Sequence, residues 1–163
     1  VIQPGAMLGL LGGGQLGRMF TQAALRMGFE VAVLDPDPAS PAGRIATRHL
    51  HAAYTDQAAL RELGGLACAV TTEFENVPAD SLAFLRQFCP VRPGPEAVQV
   101  TQDREAEKTF ARTHGLDTAP FHPILREADC AEAFRHIKAP ALLKTSRLGY
   151  DGKGQAGIGT LEK

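Results

Sequence analysis

The residues that decide the fold are Met7-Leu8-Gly9-Leu10-Leu11-Gly12-Gly13-Gly14-Gln15-Leu16-Gly17. A short apolar run ends in three glycines. Beyond them apolar side chains recur at helical spacing, at Leu16, Met19, Phe20, Ala23, Ala24 and Met27, and Gly28 follows as a stop signal. The pattern predicts a strand over 7–11 and a helix over 16–27. A second apolar run, Val31-Ala32-Val33-Leu34, is closed by Asp35-Pro36-Asp37-Pro38. Strand, glycine turn, helix and strand make a βαβ unit with parallel strands.

Outward from this unit the alternation continues. Residues 49–52 read as a weak third strand. Thr55 is placed to cap a helix over 56–63, stopped by Gly64-Gly65. A fourth strand is expected over 67–72, and Pro78 opens a helix through about residue 88. Residues 91–93 read as a fifth strand. The result is a Rossmann-like, doubly wound α/β domain with a parallel sheet. The pattern then changes. Helices are expected over 95–100 and 103–114, and strands over 121–125 and 141–145 around a helix over 131–137. The glycine-rich stretch 149–159 holds a further strand over 155–158. This predicts a second, mostly antiparallel α+β unit. The boundary falls between a first domain at 1–101 and a second at 102–163.

Length and charge narrow the function. The 163 residues suffice for one ordinary domain, or for a small domain and part of a second. A formal net charge of −1 gives no bulk field for nucleic acid or an anionic membrane, so an anion site has to be built locally. No stretch is long and apolar enough for a membrane span, and no basic-then-apolar leader precedes the fold. Cys68, Cys89 and Cys130 are odd in number and widely spaced, as expected of free thiols in a reducing cytoplasm. The five histidines show no metal-ligand spacing, and no metal ligand is expected in this chain. The opening Val1 is expected of a processed or engineered start.

Three motifs carry chemistry. Gly12, Gly14 and Gly17 have GxGxxG spacing between a strand and a helix, where backbone N–H groups and the helix dipole favour an anion. Asp35 ends the next strand, the place of a ribose-binding acid in dinucleotide enzymes. This motif fits NAD, FAD or a sugar phosphate equally, and also a tight turn with no ligand. Thr71-Thr72-Glu73-Phe74-Glu75-Asn76-Val77-Pro78 lies at a strand's carboxyl end, where open α/β sheets bind ligands. The alternative there is a solvated loop that leads into the next helix. The run from Lys144 to Gln155 combines Gly149, Gly152 and Gly154 with Lys144, Arg147 and Lys153. Backbone N–H groups and cations on a flexible loop suit a triphosphate, although a basic surface hairpin has the same composition. Arg104 and Lys108 lie four apart on one helix face, a pattern that an exposed charged face explains as well.

Taken together in this order, GGGQLGRM at 12–19, LDPDP at 34–38, TTEFENVP at 71–78, QDR at 102–104 and KTSRLGYDGKGQ at 144–155 resemble the N5-carboxyaminoimidazole ribonucleotide synthetases. These are ATP-grasp ligases, the ATPase subunits of phosphoribosylaminoimidazole carboxylase. The resemblance implies a preATP-grasp domain followed by the N-terminal portion of an ATP-grasp domain. It implies ATP-dependent carboxylation of 5-aminoimidazole ribonucleotide by bicarbonate in purine biosynthesis, through carboxyphosphate. By the same resemblance Gly14, Gln15, Leu16, Asp35 and Glu73 bind the ribonucleotide. Arg104, Lys144, Gly149, Tyr150, Asp151, Gly152, Lys153, Gly154 and Gln155 contact ATP. Tyr150, Asp151 and Lys153 would face bicarbonate and the amine, with Asp151 as the base. Mg2+ is implied with ATP, its ligands and the adenine hinge being expected beyond Lys163, so that this chain alone is expected not to turn over. A cytoplasmic homodimer is implied for the family. The formate-dependent glycinamide ribonucleotide transformylases are a weaker match, expected to read GSGELG and SSSGKGQ at the two glycine motifs. An NAD(P)-binding oxidoreductase domain and a non-catalytic ribonucleotide-binding module are the other readings left by the residues.

Overall fold

The computed structural model describes residues 1–149 and 152–159. Two compact units divide the chain, Val1–Gln99 and Val100–Lys163. In the first, β1 (Met7–Leu11), α1 (Gln15–Arg26) and β2 (Glu30–Asp35) form the expected βαβ unit. β3 (Arg48–His51), α2 (Gln57–Leu66), β4 (Ala69–Thr72), α3 (Ala79–Leu85) and α4 (Pro95–Thr101) follow. The sheet order is β3-β2-β1-β4, and every pair is parallel. The chain winds outward from β1 to β3 and then returns to the other side of β1. The switch point therefore lies between β1 and β4, and a crevice opens beyond their carboxyl ends.

Both faces of the sheet are buried, as parallel sheets require. Along β2, Val31 and Val33 point to one side with Leu10, Ala24 and Ala42. Ala32 and Leu34 point to the other, with Leu60, Leu63, Val70, Leu82 and Leu85. The period of two along a strand and the helix on each face account for the continuous apolar run at 31–34.

Several boundaries differ from the sequence reading for physical reasons. Asp56, not Thr55, caps α2: its carboxylate accepts from Ala58 N at 2.9 Å and Ala59 N at 3.0 Å. Gly64 and Gly65 do not stop α2, which runs to Leu66. Gly64 is there because Phe88 packs on it: a Cβ would lie 2.8 Å from the Cβ of Phe88. The fifth strand shrinks to a single bridge between Val70 and Val91. Pro90 lends a carbonyl to Val70 N and Arg92 N returns a bond to Val70 O, both at 2.9 Å. Neither Pro90 nor Pro93 has an N–H with which to extend the ladder.

The second unit contains α5 (Arg104–Thr113), a 3-10 turn at Glu127–Asp129, α6 (Cys130–Ile137) and an antiparallel pair, β5 (Ala141–Lys144) and β6 (Gln155–Ile158). The strand expected over 121–125 does not form. Pro120 and Pro123 bracket its start, and the Phe121 ring instead receives Arg112 at 4.4 Å and Lys108 at 5.3 Å from its centroid. Among the described residues no helix is long and apolar enough to cross a membrane.

Candidate functional site

At the carboxyl edge of the first unit's sheet, two carboxylates hold the glycine turn from either side. Asp35, the last residue of β2, accepts from Gly13 N at 2.6 Å through Oδ2 and from Asp37 N at 2.8 Å through Oδ1. Glu73, the first residue after β4, accepts from Gly14 N at 3.2 Å through Oε1 and from Gly17 N at 2.9 Å through Oε2. Gly14 stands at the N-cap position of α1 and brings no capping side chain. Glu73 performs that task from 56 residues away, and its charge lies against the positive end of the helix dipole.

The chain's own side chains explain the glycines. Gly12 has φ +99°, and a Cβ there would lie 2.5 Å from Glu73 Cγ. At Gly13 a Cβ would meet Ser40 Oγ at 2.5 Å, and at Gly14 it would meet Glu73 Oε1 at 2.7 Å. Close approach of the backbone to something is the usual reason for such a motif. Here that something is Asp35, Ser40 and Glu73.

Two residues of this arrangement carried no signal in the sequence analysis. Tyr54 donates its hydroxyl to Asp35 Oδ2 at 2.8 Å, and its ring stands 5.8 Å from that of Phe74 at a tilt of 60°. Burial, the bond to Asp35 and the charges of Asp35 and Glu73 push the Tyr54 phenol far above its ordinary pKa, so it remains a donor. Ser40, only 2% exposed, accepts from Gly43 N at 3.2 Å. The signal that would have found Tyr54 is its position just past the end of β3, on the same sheet edge as Asp35 and Glu73.

The structure thus brings together Gly14, Gln15, Leu16, Asp35 and Glu73. Gln15 is exposed and Leu16 is 62% exposed on the first turn of α1, available to a ligand. Asp35 differs from the expectation of an acid offered to a ribose. It is 7% exposed, and three donors from its own chain occupy it.

In the second unit a glycine loop is fastened to the start of α5. Arg104 Nε donates to Thr145 O at 3.2 Å, its Nη2 to Gly149 O at 2.6 Å, and its backbone N–H to Ser146 O at 3.0 Å. Asp103 caps α5 through Glu105 N at 3.0 Å and Ala106 N at 3.1 Å, and pairs with Arg147 Nε at 3.5 Å. The N–H of Ala106 first, then Ser146, Glu105 and Arg147, hold the Asp103 carboxyl below the usual range. Thr145 N donates to Gly154 O at 2.8 Å and closes the hairpin base. A Cβ on Gly154, at φ +67°, would lie 2.5 Å from Thr145 Oγ1. Lys144, Gly152, Lys153, Gly154 and Gln155 are all exposed, and Lys144 pairs in register with Gln155. Tyr150 and Asp151 lie outside the described residues. Arg104 and Lys108 do not act as one cationic face: Lys108 Nζ reaches Ala119 O at 3.3 Å instead.

Among the described residues no three His, Cys, Asp or Glu side chains are grouped to hold a metal ion. A depression of about 410 Å³ lined by residues 86–92 lies at the amino end of the Val91 bridge, away from the carboxyl edge of the sheet.

The geometry can be set beside known proteins. A family model described as the ribonucleotide synthetase preATP-grasp domain matches residues 6–102, and one for the ATP-grasp domain matches 109–163. The N5-carboxyaminoimidazole ribonucleotide synthase of Brucella melitensis is 41% identical over 162 residues, which are 99% of this chain and 45% of that protein. The synthase of Bacillus subtilis is 41% identical over 155 residues, 95% of this chain and 41% of its own length. The N5-carboxyaminoimidazole synthetase of Staphylococcus aureus solved with ADP superposes with a TM-score of 0.94 at 38% identity, over 98% of this chain and 43% of that one. The Aspergillus clavatus synthase solved with ADP and 5-aminoimidazole ribonucleotide gives 0.86 at 26% identity, over 98% and 42%. The chain therefore spans less than half the length of the relatives it matches.

Proposed function

Because the chain belongs to the ribonucleotide synthetase preATP-grasp family, we propose that its residues serve the ATP-dependent carboxylation of 5-aminoimidazole ribonucleotide by bicarbonate. The observation that carries this reading is the carboxylate of Glu73 on the N-terminus of α1. A dinucleotide enzyme places a pyrophosphate there and leaves an acid like Asp35 free for the ribose. Here Glu73 already fills the first position and Asp35 is enclosed by its own chain. What remains open is the outer side of the first turn, with Gln15 and Leu16. An amide and an apolar side chain beside an acceptor carboxylate suit the hydroxyls and ring of a ribonucleotide. The relative solved with 5-aminoimidazole ribonucleotide supports this choice of ligand.

In this reading Gly14, Gln15, Leu16 and Glu73 bind the ribonucleotide, and Asp35 acts on it through Gly13. Arg104, Lys144 and Lys153, with the backbone of Gly149, Gly152, Gly154 and Gln155, attend the phosphates of ATP. A phosphoryl group passes from ATP to a bicarbonate oxygen, giving ADP and carboxyphosphate. The amine then forms a C–N bond to the carboxyl carbon, phosphate leaves, and the amine proton passes to a base. Tyr150, Asp151 and Lys153 are assigned to this step, Asp151 as the base, by resemblance alone. Magnesium accompanies ATP in such chemistry, but the described residues form no cluster suited to hold it, and no step is assigned to them through it. The same reading carries a cytoplasmic homodimer.

The test is ADP formation by a chain of the relatives' full length that carries this sequence. ADP formed only when ribonucleotide and bicarbonate are both present supports the reading. ADP formation indifferent to the ribonucleotide contradicts it.

A further inference from the structure

We propose that Tyr54 is a positioning residue for ribonucleotide binding, acting through Asp35 on the glycine turn and through Phe74 on the segment that carries Glu73. The inference rests on the ribonucleotide reading above and adds to it a residue that touches no ligand.

The geometry is a short relay. Asp35 Oδ2 takes two donors, Gly13 N at 2.6 Å and Tyr54 Oη at 2.8 Å, while Oδ1 takes Asp37 N at 2.8 Å. Gly13 N–H and Tyr54 O–H therefore fix the direction of one carboxylate oxygen between them. Gly13 directly precedes the N-cap residue of α1, so a rotation of Asp35 would move the backbone from which Gln15 and Leu16 project. On its other side the Tyr54 ring packs on Phe74, the residue after Glu73. Tyr54 thus touches one support of the turn, Asp35, and the residue that follows the other, Glu73. A buried carboxylate that loses one of its donors must reorient or take up water. Either change alters the turn. The high phenol pKa, caused first by burial, keeps the donor hydrogen in place throughout the pH range of an assay.

A merely structural tyrosine would affect melting and leave the two substrates alike. A positioning tyrosine affects the ribonucleotide selectively. The experiment uses a chain of the relatives' full length carrying this sequence, and compares wild type with Tyr54→Phe by ADP formation. The ribonucleotide and ATP are varied in turn. The expected result is a KM for 5-aminoimidazole ribonucleotide raised about five- to tenfold, the loss of one bond to a charged group felt indirectly. The KM for ATP and kcat should stay within about twofold. Asp35→Asn, which keeps the shape and halves the acceptors, should shift the same KM in the same direction. An unchanged ribonucleotide KM in Tyr54→Phe, or an equal rise for ATP, overturns the inference while the function stands. A wild-type enzyme whose ADP formation ignores the ribonucleotide overturns both.

Discussion

The Glu73 carboxylate lies 2.9 Å from the backbone nitrogen of Gly17, in the place where a helix N-terminus would otherwise receive an anion. One acid from the end of β4 thereby closes a turn that starts at the end of β1. The contact also explains why Gly12 and Gly14 carry no side chain, since a Cβ on either would strike Glu73.

Glu73→Gln keeps the shape but removes the charge and turns one acceptor into a donor facing an N–H. Its unfolding free energy, measured by urea titration, should fall by about 1–2 kcal/mol. Unchanged stability would show that the two N–H bonds do not hold the turn.

The neighbouring glycines of α2 should respond in opposite senses. Gly65 has nothing within 4 Å of a built Cβ, so Gly65→Ala should add about 0.5–1 kcal/mol from helix propensity. Gly64→Ala drives a methyl group into Phe88 and should cost about 1–3 kcal/mol. Shifts of the same sign in both would contradict the packing described.

How much of this was legible in the sequence depends on distance along the chain. The βαβ unit and the strand at Gln155–Ile158 follow from apolar spacing and glycine stops, which act locally. Gly64-Gly65 looks locally like a stop for α2, whereas Phe88, far along the chain, explains Gly64. The apolar residues over 121–125 suggest a strand, but the Phe121 ring is taken up by Arg112 and Lys108 instead, and Leu125 is 84% exposed. At the site, Gln15, Leu16 and Glu73 stood in motifs. The bond from Tyr54 to Asp35 spans 19 residues and that from Arg104 to Gly149 spans 45. Neither has a periodic or spacing signature, so the inward turn of Asp35 could be seen only in three dimensions.

Asp103 makes the second unit sensitive to acid. Its folded pKa is depressed, so its contribution is present above the unfolded value of about 3.9 and is lost as pH falls through the folded value. Asp103→Ala should cost about 1 kcal/mol at pH 7 through loss of the cap. That difference from wild type should stay constant between about pH 5 and 8 and shrink below about pH 4. A difference that grows in acid would reverse the assigned sign.

Arg104→Lys retains a cation but cannot hold Thr145 O and Gly149 O together. Trypsin cleavage after Arg147 should then become several-fold faster, because local opening of the loop exposes the bond. Cleavage at the wild-type rate would mean that the loop is fixed by other contacts.

The most direct test of the account concerns what the first turn of α1 accepts. Backbone amide NMR spectra of the chain would be recorded during titration with 5-aminoimidazole ribonucleotide and, separately, with NAD. The account predicts saturable shifts at Gly13, Gly14, Gln15 and Leu16 with the ribonucleotide and none with NAD. Saturable shifts at these residues with NAD, and none with the ribonucleotide, would contradict it.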